Sequence, residues 1–326
     1  MARLKVLMLD APSEDQLLVL HSILSSDRYE VVLSGGKREE RSAAVAEADF
    51  LMTWETDIDA KTLAAGKNLR LVQKIGFKPC MVDTKAARKL GIPVVTVPSL
   101  SLVTVAEHTF LLMLALAKKF LKAYRETLEG LYRSGVKTIL TTQDNYVFNW
   151  IGLEGFDALY GKILGIVGLG VVGQEVAKRA RAFDMEVLYT DVRRLTKLQE
   201  RRLGVAFVSF DDLLRESDFV SLHLRFYKET EKIMGQREFA LMKPTAYFIN
   251  TARGRLVDEK ALYEALKEGK IAGAGLDVFW EEPLPRESRL WKLENVIITP
   301  HVAGIPVAEA REAEARHAAT NILKHS

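Results

Sequence analysis

The sequence predicts an α/β protein made of two doubly wound parallel-sheet domains, and three observations carry that prediction. Short apolar strands alternate with helical patterns in two separate blocks. A chain of 326 residues exceeds one ordinary domain core. A glycine-rich turn joins strand to helix at the start of the second block, where a nucleotide phosphate is commonly held.

The first block fills residues 1–100 with KVLMLD, a helix from Glu14, YEVVL, a helix from Arg41, DFLMTW, LRLVQKI, a helix from Asp83, and VVTV. Strands separated by helices pair in parallel, with the helices covering both faces. A helix then runs from about Thr104 to Tyr124, apolar on nearly every side around FLLMLALA, so several of its faces must be covered by domains or subunits. Charged or polar residues bound that run, Glu107 and His108 before it and Lys118 and Lys119 after it, leaving it well short of the roughly 20 residues that span a bilayer. Residues 128–149 have no period and read as loop with a little helix. The second block continues through KILGIVG, EVLYTD, VAFV, FVSLHL, AYFIN, AGAGLDVF and NVIITP.

Composition narrows the partner. Apolar residues make up 48% and charged residues 27%, an ordinary globular balance. The net charge of +3 and the absence of like-charge blocks exclude a nucleic-acid or anionic-membrane surface and favour a small molecule. A single cysteine, Cys80, and an N-terminus without an apolar leader predict a cytoplasmic protein.

Gly168, Gly170 and Gly173 stand in G-x-G-x-x-G spacing after the strand KILGIV, and they open a helix with Val172, Val176, Ala180 and Phe183 on one face. The first glycine permits a tight turn, the second admits a pyrophosphate to the backbone, and the third lets helix and strand pack closely. Free amides and the helix dipole then hold the anion. Asp191, 18 residues beyond Gly173, is placed to bond a ribose 2′-hydroxyl, which predicts NAD. Arg193 and Arg194 follow it and would instead receive the 2′-phosphate of NADP, the alternative.

Three later strand ends carry chemistry. FINTARG presents Arg253, GLDVFWEEP presents Asp277, Glu281 and Glu282, and VIITPHVAG presents His301. Groups at the carboxyl ends of parallel strands gather in one crevice. Hydride transfer needs an acid or base for the substrate oxygen and a cation for an acidic substrate, and both types are here. Singly, each has an ordinary reading: His301 as a surface or capping group, the two glutamates as a solvated pair, Arg253 as a charge answering Asp258. Their succession after strands of one dinucleotide-binding sheet favours chemistry.

These residues resemble the D-isomer-specific 2-hydroxyacid dehydrogenase family. GIVGLGVVG, FINTARGRLVD, GLDVFWEEP and TPHVAG carry the resemblance, and GIPVVTVP followed by VAEHT is similar to the family's hinge. It implies two Rossmann-like domains: a discontinuous, flavodoxin-like substrate-binding domain over 1–102 and 300–326, and an NAD-binding domain over 103–299. It also implies a triad in which Arg253 binds the substrate's carboxylate and carbonyl, His301 exchanges the proton of the C2 oxygen, and Glu282, which directly precedes Pro283, stabilises the imidazolium. Asp277 would hold the nicotinamide carboxamide, and Val171, Val172, Thr230, Thr251, Ala252 and Gly304 would line the cofactor. Gly76 and Lys78 would touch substrate with Arg253. A small anionic 2-keto or 2-hydroxy acid and a homodimer around the apolar crossover helix complete the implication.

The chain departs from the family in four places. GFKPCMVD has Lys78 and Pro79 where a glycine-rich substrate loop is usual, so Lys78 either adds charge to the pocket or points to solvent. Phosphite dehydrogenases, relatives within the family, also carry a lysine there. Arg225 replaces a usual proline, VPSLSLVTVAE lacks the usual glycine and asparagine, and residues 128–149 are long. A non-enzymatic NAD sensor like the C-terminal-binding corepressors is the alternative from another class.

Overall fold

The computed structural model describes residues 3–34, 43–54, 56–76, 82–97, 101–304 and 308–326, with backbone alone at 101 and 308. The chain divides into two compact units, Met1–Ser101 with Ile305–Ser326, and Leu102–Gly304. The return to the first unit comes at Ile305 rather than at residue 300. Backbone amides of Val302 and Ala303 bond Asp277, which keeps that segment with the second unit.

In the first unit the elements run β1 (Leu4–Met8), α1 (Glu14–Ile23), β2 (Tyr29–Leu33), β3 (Phe50–Thr53), α2 (Ala60–Ala65), β4 (Leu71–Ile75), α3 (Thr84–Lys89) and β5 (Val94–Val97). Side chains of Ser13, Asp59 and Asp83 accept amides at the starts of α1, α2 and α3, satisfying donors that a helix leaves open. The strands are parallel in the order β2-β1-β3-β4-β5, the flavodoxin arrangement. The last helix of the chain, Ala308–Lys324, packs Ala315, Ala318, Ala319 and Ile322 against Phe50, Met52 and Leu71. The helix expected from Arg41 starts outside the described residues.

The second unit opens with α4 (Ser101–Ala117) and α5 (Phe120–Leu128). One helix was expected here, but Lys119 is left-handed and divides it. The break is stabilised by the returning chain: the Asp157 amide bonds the Ala117 carbonyl, and Lys118 Nζ bonds the Asp157 carbonyl. Then follow β6 (Ile163–Val167), α6 (Val171–Ala182), β7 (Glu186–Thr190), α7 (Lys197–Leu203), β8 (Ala206–Phe207), α8 (Phe210–Glu216), β9 (Phe219–Leu222), α9 (Gln236–Leu241), β10 (Tyr247–Asn250), α10 (Glu259–Lys267), β11 (Gly273–Leu276) and β12 (Val296–Ile298).

All seven strands are parallel in the order β12-β11-β10-β9-β6-β7-β8, a Rossmann arrangement with one strand added. Strands β9, β10 and β11 are buried throughout, as a parallel sheet covered on both faces requires. The order reverses between β6 and β9, so a crevice opens beyond their carboxyl ends. Helix α4 seats directly on β11: a Cβ at Gly275 would lie 2.8 Å from Leu112 Cβ. Among the described residues no helix is long and apolar enough to cross a membrane.

Candidate active site

The glycine turn is shaped by close contacts on two of its three positions. Gly168 has φ +94°, and a Cβ there would meet the His223 carbonyl at 2.9 Å. A Cβ at Gly173 would lie 2.4 Å from the Gly168 carbonyl, so helix and turn can abut only without a side chain. Gly170 faces open space, and no side chain caps α6 behind it. The amides at Val171 and Val172 therefore start a helix whose positive end lacks an internal acceptor, and a phosphate fits there.

Asp191 ties this turn to the next strand: Oδ2 accepts the Leu169 amide at 2.8 Å and Oδ1 accepts the Arg193 amide at 3.0 Å. The two arginines beyond it differ. Arg194 forks onto Glu200 at 2.8 and 3.4 Å and lies over the Phe207 ring. Bonds from Arg194 and Lys197 hold the Glu200 carboxyl down to about 2, against the opposing effect of burial. A 2′-phosphate would have to draw Arg194 off this anion, whereas the Arg193 side chain, also exposed, has no acidic partner among the described residues.

At the other end of the switch, β10 delivers Arg253. Asn250 folds the turn by accepting the Ala252 amide and donating to the Arg253 carbonyl, each at 3.0 Å. Arg253 is exposed, and one guanidinium nitrogen bonds the Ala252 carbonyl at 2.6 Å. Its other donors have no partner among the described residues. Asp258 pairs with Lys232 rather than with Arg253.

Gly254 is the contact between two turns. A Cβ there would lie 1.9 Å from the Phe279 carbonyl carbon, so the arginine turn presses on the 279–282 segment with no room for a methyl group. That segment carries Glu282, whose Oε1 accepts the Phe279 amide at 3.0 Å and whose Oε2 is 2.6 Å from His301 Nδ1. Glu281 makes no such bond. Burial opposes the charge on Glu282, yet bonds from His301 and the Phe279 amide, with Arg253 nearby, hold its carboxyl below the usual value. An ionised carboxylate only accepts, so Nδ1 donates and Nε2 on the far edge of the ring is left for a reactant. Arginine, glutamate and histidine thus gather at one place.

The remaining predicted positions fall as follows. Asp277 is fully buried and accepts from Thr299 Oγ1, Val302 N and Ala303 N. Three of a carboxylate's four acceptor positions are occupied. Thr251 and Ala252 are buried beside Arg253, with the Thr251 hydroxyl 3.1 Å from that of Thr109. Thr230 spends its hydroxyl inside the β9 loop, on Arg225 and Tyr227. Gly304 closes the second unit. In the first unit Gly76, at φ +137°, ends β4, while Lys78 lies outside the described residues.

Sequence reasoning missed three polar groups. Lys74 is buried in β4 with its ammonium on the Trp54 and Ile75 carbonyls; a lysine inside the apolar run LVQKI was the signal. His223 keeps partial exposure, yet its ring is enclosed beside Ser221, and burial pushes the imidazole down to about 3. His108 bonds Thr299 from 191 positions away, a separation no local pattern reveals.

Comparisons with known proteins identify the family. The family profile described as D-isomer specific 2-hydroxyacid dehydrogenase, NAD binding domain, matches residues 110–303. A glyoxylate reductase of Korarchaeum cryptofilum is 41% identical over 280 residues, covering 86% of this chain and 80% of that protein. A D-3-phosphoglycerate dehydrogenase of Archaeoglobus fulgidus is 37% identical over 313 residues, covering 95% of this chain and 54% of the longer relative. A crystal structure of a Pyrococcus horikoshii protein superposes with a TM-score of 0.76 at 31% identity, over 99% of this chain and 92% of that one. With the profile on the Rossmann unit and relatives of this identity along most of its length, the chain belongs to the D-isomer specific 2-hydroxyacid dehydrogenase family and is an NAD-dependent oxidoreductase.

Proposed function

We propose that Arg253, His301 and Glu282 reduce a small 2-keto acid to the D-2-hydroxy acid, with glyoxylate the first substrate to test because several relatives near 40% identity are glyoxylate reductases. Arg253 offers its unpartnered guanidinium donors to the carboxylate and carbonyl oxygen, matching a planar anion with a planar fork. His301 Nε2 carries the proton to the carbonyl oxygen as negative charge develops there. Glu282 fixes the ring through Nδ1 and stabilises the imidazolium before transfer. Bound NADH supplies the hydride for C2. Gly168, Gly170, Gly173 and the Val171 and Val172 amides hold its pyrophosphate, Asp191 its ribose, and Thr251, Ala252, Asp277, Thr230 and Gly304 surround the remainder.

The observation that carries this reading is the 2.6 Å pair of His301 and Glu282 beside an exposed arginine most of whose donors have no partner among the described residues. Its test follows NADH absorbance with glyoxylate, hydroxypyruvate, pyruvate and phenylpyruvate, with phosphite assayed in the oxidative direction. His301→Gln should lose about 10²- to 10⁴-fold in kcat while still binding NADH. Undiminished turnover by that variant overturns the assignment.

The same reading includes a homodimer. Leu128 at the end of α5 and Leu140, Phe148 and Tyr160 in the segment after it are largely exposed, more apolar surface than one isolated subunit needs to show. Sedimentation equilibrium should give twice the chain mass. A cytoplasmic setting fits the lone cysteine, and it is tested by fractionating cells that express the tagged chain.

A further inference from the structure

The residue that follows Pro300 is held in an unusual way. His301 has φ +55°, a left-handed conformation that few residues with a Cβ adopt. Its surroundings meet in Asp277. Thr299 Oγ1, two residues before His301, donates to Asp277 Oδ1 at 2.6 Å. The amide of Val302, just after it, reaches the same oxygen at 3.0 Å, and that of Ala303 reaches Oδ2 at 2.9 Å. One buried carboxylate therefore grips the chain on both sides of the left-handed residue.

The grip extends to helix α4. His108 Nε2 lies 2.9 Å from Thr299 Oγ1 and 3.6 Å from Asp277 Oδ1, with its side chain 12% exposed. A threonine hydroxyl has one proton, and here the carboxylate at 2.6 Å takes it. The imidazole must then be the donor, so Nε2 carries hydrogen and the chain runs from His108 through Thr299 to Asp277 in one direction. Hydrogen bonds aligned in this sense polarise and strengthen one another in a buried setting. The placement follows from packing. Leu112 sits on Gly275, and His108, one turn earlier on α4, therefore stands over the end of β11, where Asp277 begins the next segment.

We infer that His108, Thr299 and Asp277 form a positioning relay that holds His301 left-handed and its imidazole on Glu282, so that helix α4 sets the proton-transfer geometry. The inference rests on His301 being the acid of the proposed reaction. His108 and Thr299 touch no reacting atom and act through Asp277 and the 301–303 turn. The carboxamide that Asp277 was expected to hold would take the one acceptor position the relay leaves.

The test uses the full-length protein with glyoxylate and NADH. His108→Phe keeps a flat ring without a donor, and Thr299→Val keeps the shape without the hydroxyl. Each should lower kcat about 10- to 100-fold, the loss that a misplacement of about 1 Å brings, while NADH affinity measured by fluorescence stays unchanged. His108→Gln and Thr299→Ser, which retain the donor and the hydroxyl, should recover most of the loss. Should Thr299→Val fail to fold, the His108 pair decides, since that ring lies at the partly exposed end of the relay. Wild-type kcat in folded His108→Phe overturns the relay. So does a loss of NADH affinity that matches the loss of turnover, or a failure of the conservative variants to restore it. A wild-type rate in His301→Gln would instead remove the acid assignment, an outcome separable from all of these.

Discussion

The two ends of the second sheet offer different kinds of polar group. At β6 and β7 these come from the backbone: amides without a side-chain cap, an open Gly170 and a left-handed Gly168, with Asp191 pinning the Leu169 amide. At β10, β11 and β12 side chains converge instead, several of them bonded to nearby main chain: Asn250 to the Ala252 amide and Arg253 carbonyl, Glu282 to the Phe279 amide, Asp277 to the 302 and 303 amides. Phosphate recognition can rest on peptide groups because it needs only directed donors, whereas proton transfer needs titratable groups held at fixed distances.

The largest effect that would sharpen this contrast lies at the side-chain end. Arg253→Lys keeps the charge but loses the fork, and kcat/KM for glyoxylate should fall on the order of 100-fold with NADH affinity intact. A fall matched by lost NADH binding would show that the two ends are not independent. At the backbone end, Gly173→Ala drives a methyl into the Gly168 carbonyl and should cost about 1–3 kcal/mol of stability as well as cofactor affinity. Gly170→Ala should leave the melting temperature in place and weaken NADH alone, since its methyl meets open space until the pyrophosphate arrives. Calorimetry with and without NADH separates the two, and equal destabilisation by both would break the comparison.

The smallest effect is in acid. His223 sits between the two ends, with its imidazole near 3 in the folded protein against an ordinary 6.5. Between those values the unfolded chain binds a proton that the native chain refuses, so stability present above pH 6.5 is lost as pH falls through this window. The slope from this one group is at most roughly 1.4 kcal/mol per pH unit. Urea midpoints of His223→Gln should therefore decline less steeply than wild type between pH 6.5 and about 4. Parallel declines would show that His223 titrates normally.

Much of the fold could be read from the chain because its signals are local. Apolar strands at KILGIV, AYFIN and NVIITP announce themselves, and glycine spacing reports backbone crowding that only glycine tolerates. The helix break at Lys119 could not be read, because it depends on Asp157 returning to cap Ala117. The six residues of α2 are too few to show a period, and their only sequence mark is the cap at Asp59. For the site, residue types at strand ends suggested Arg253, Glu282 and His301. The family resemblance supplied the choice of Glu282 as the partner of His301, whereas the reach of His108 to Thr299 follows from helix seating, which no window of sequence contains.

The absence of a methyl at Gly254 has a consequence for altering what the enzyme accepts. Because two main chains touch there, the spacing between the Arg253 turn and the 279–282 segment is a fixed ruler, set by peptide geometry. Attempts to admit bulkier acids by trimming this wall would have nothing to trim. Selectivity must be changed on surfaces that do not share the ruler, and directed libraries should leave residues 250–254 and 279–282 untouched.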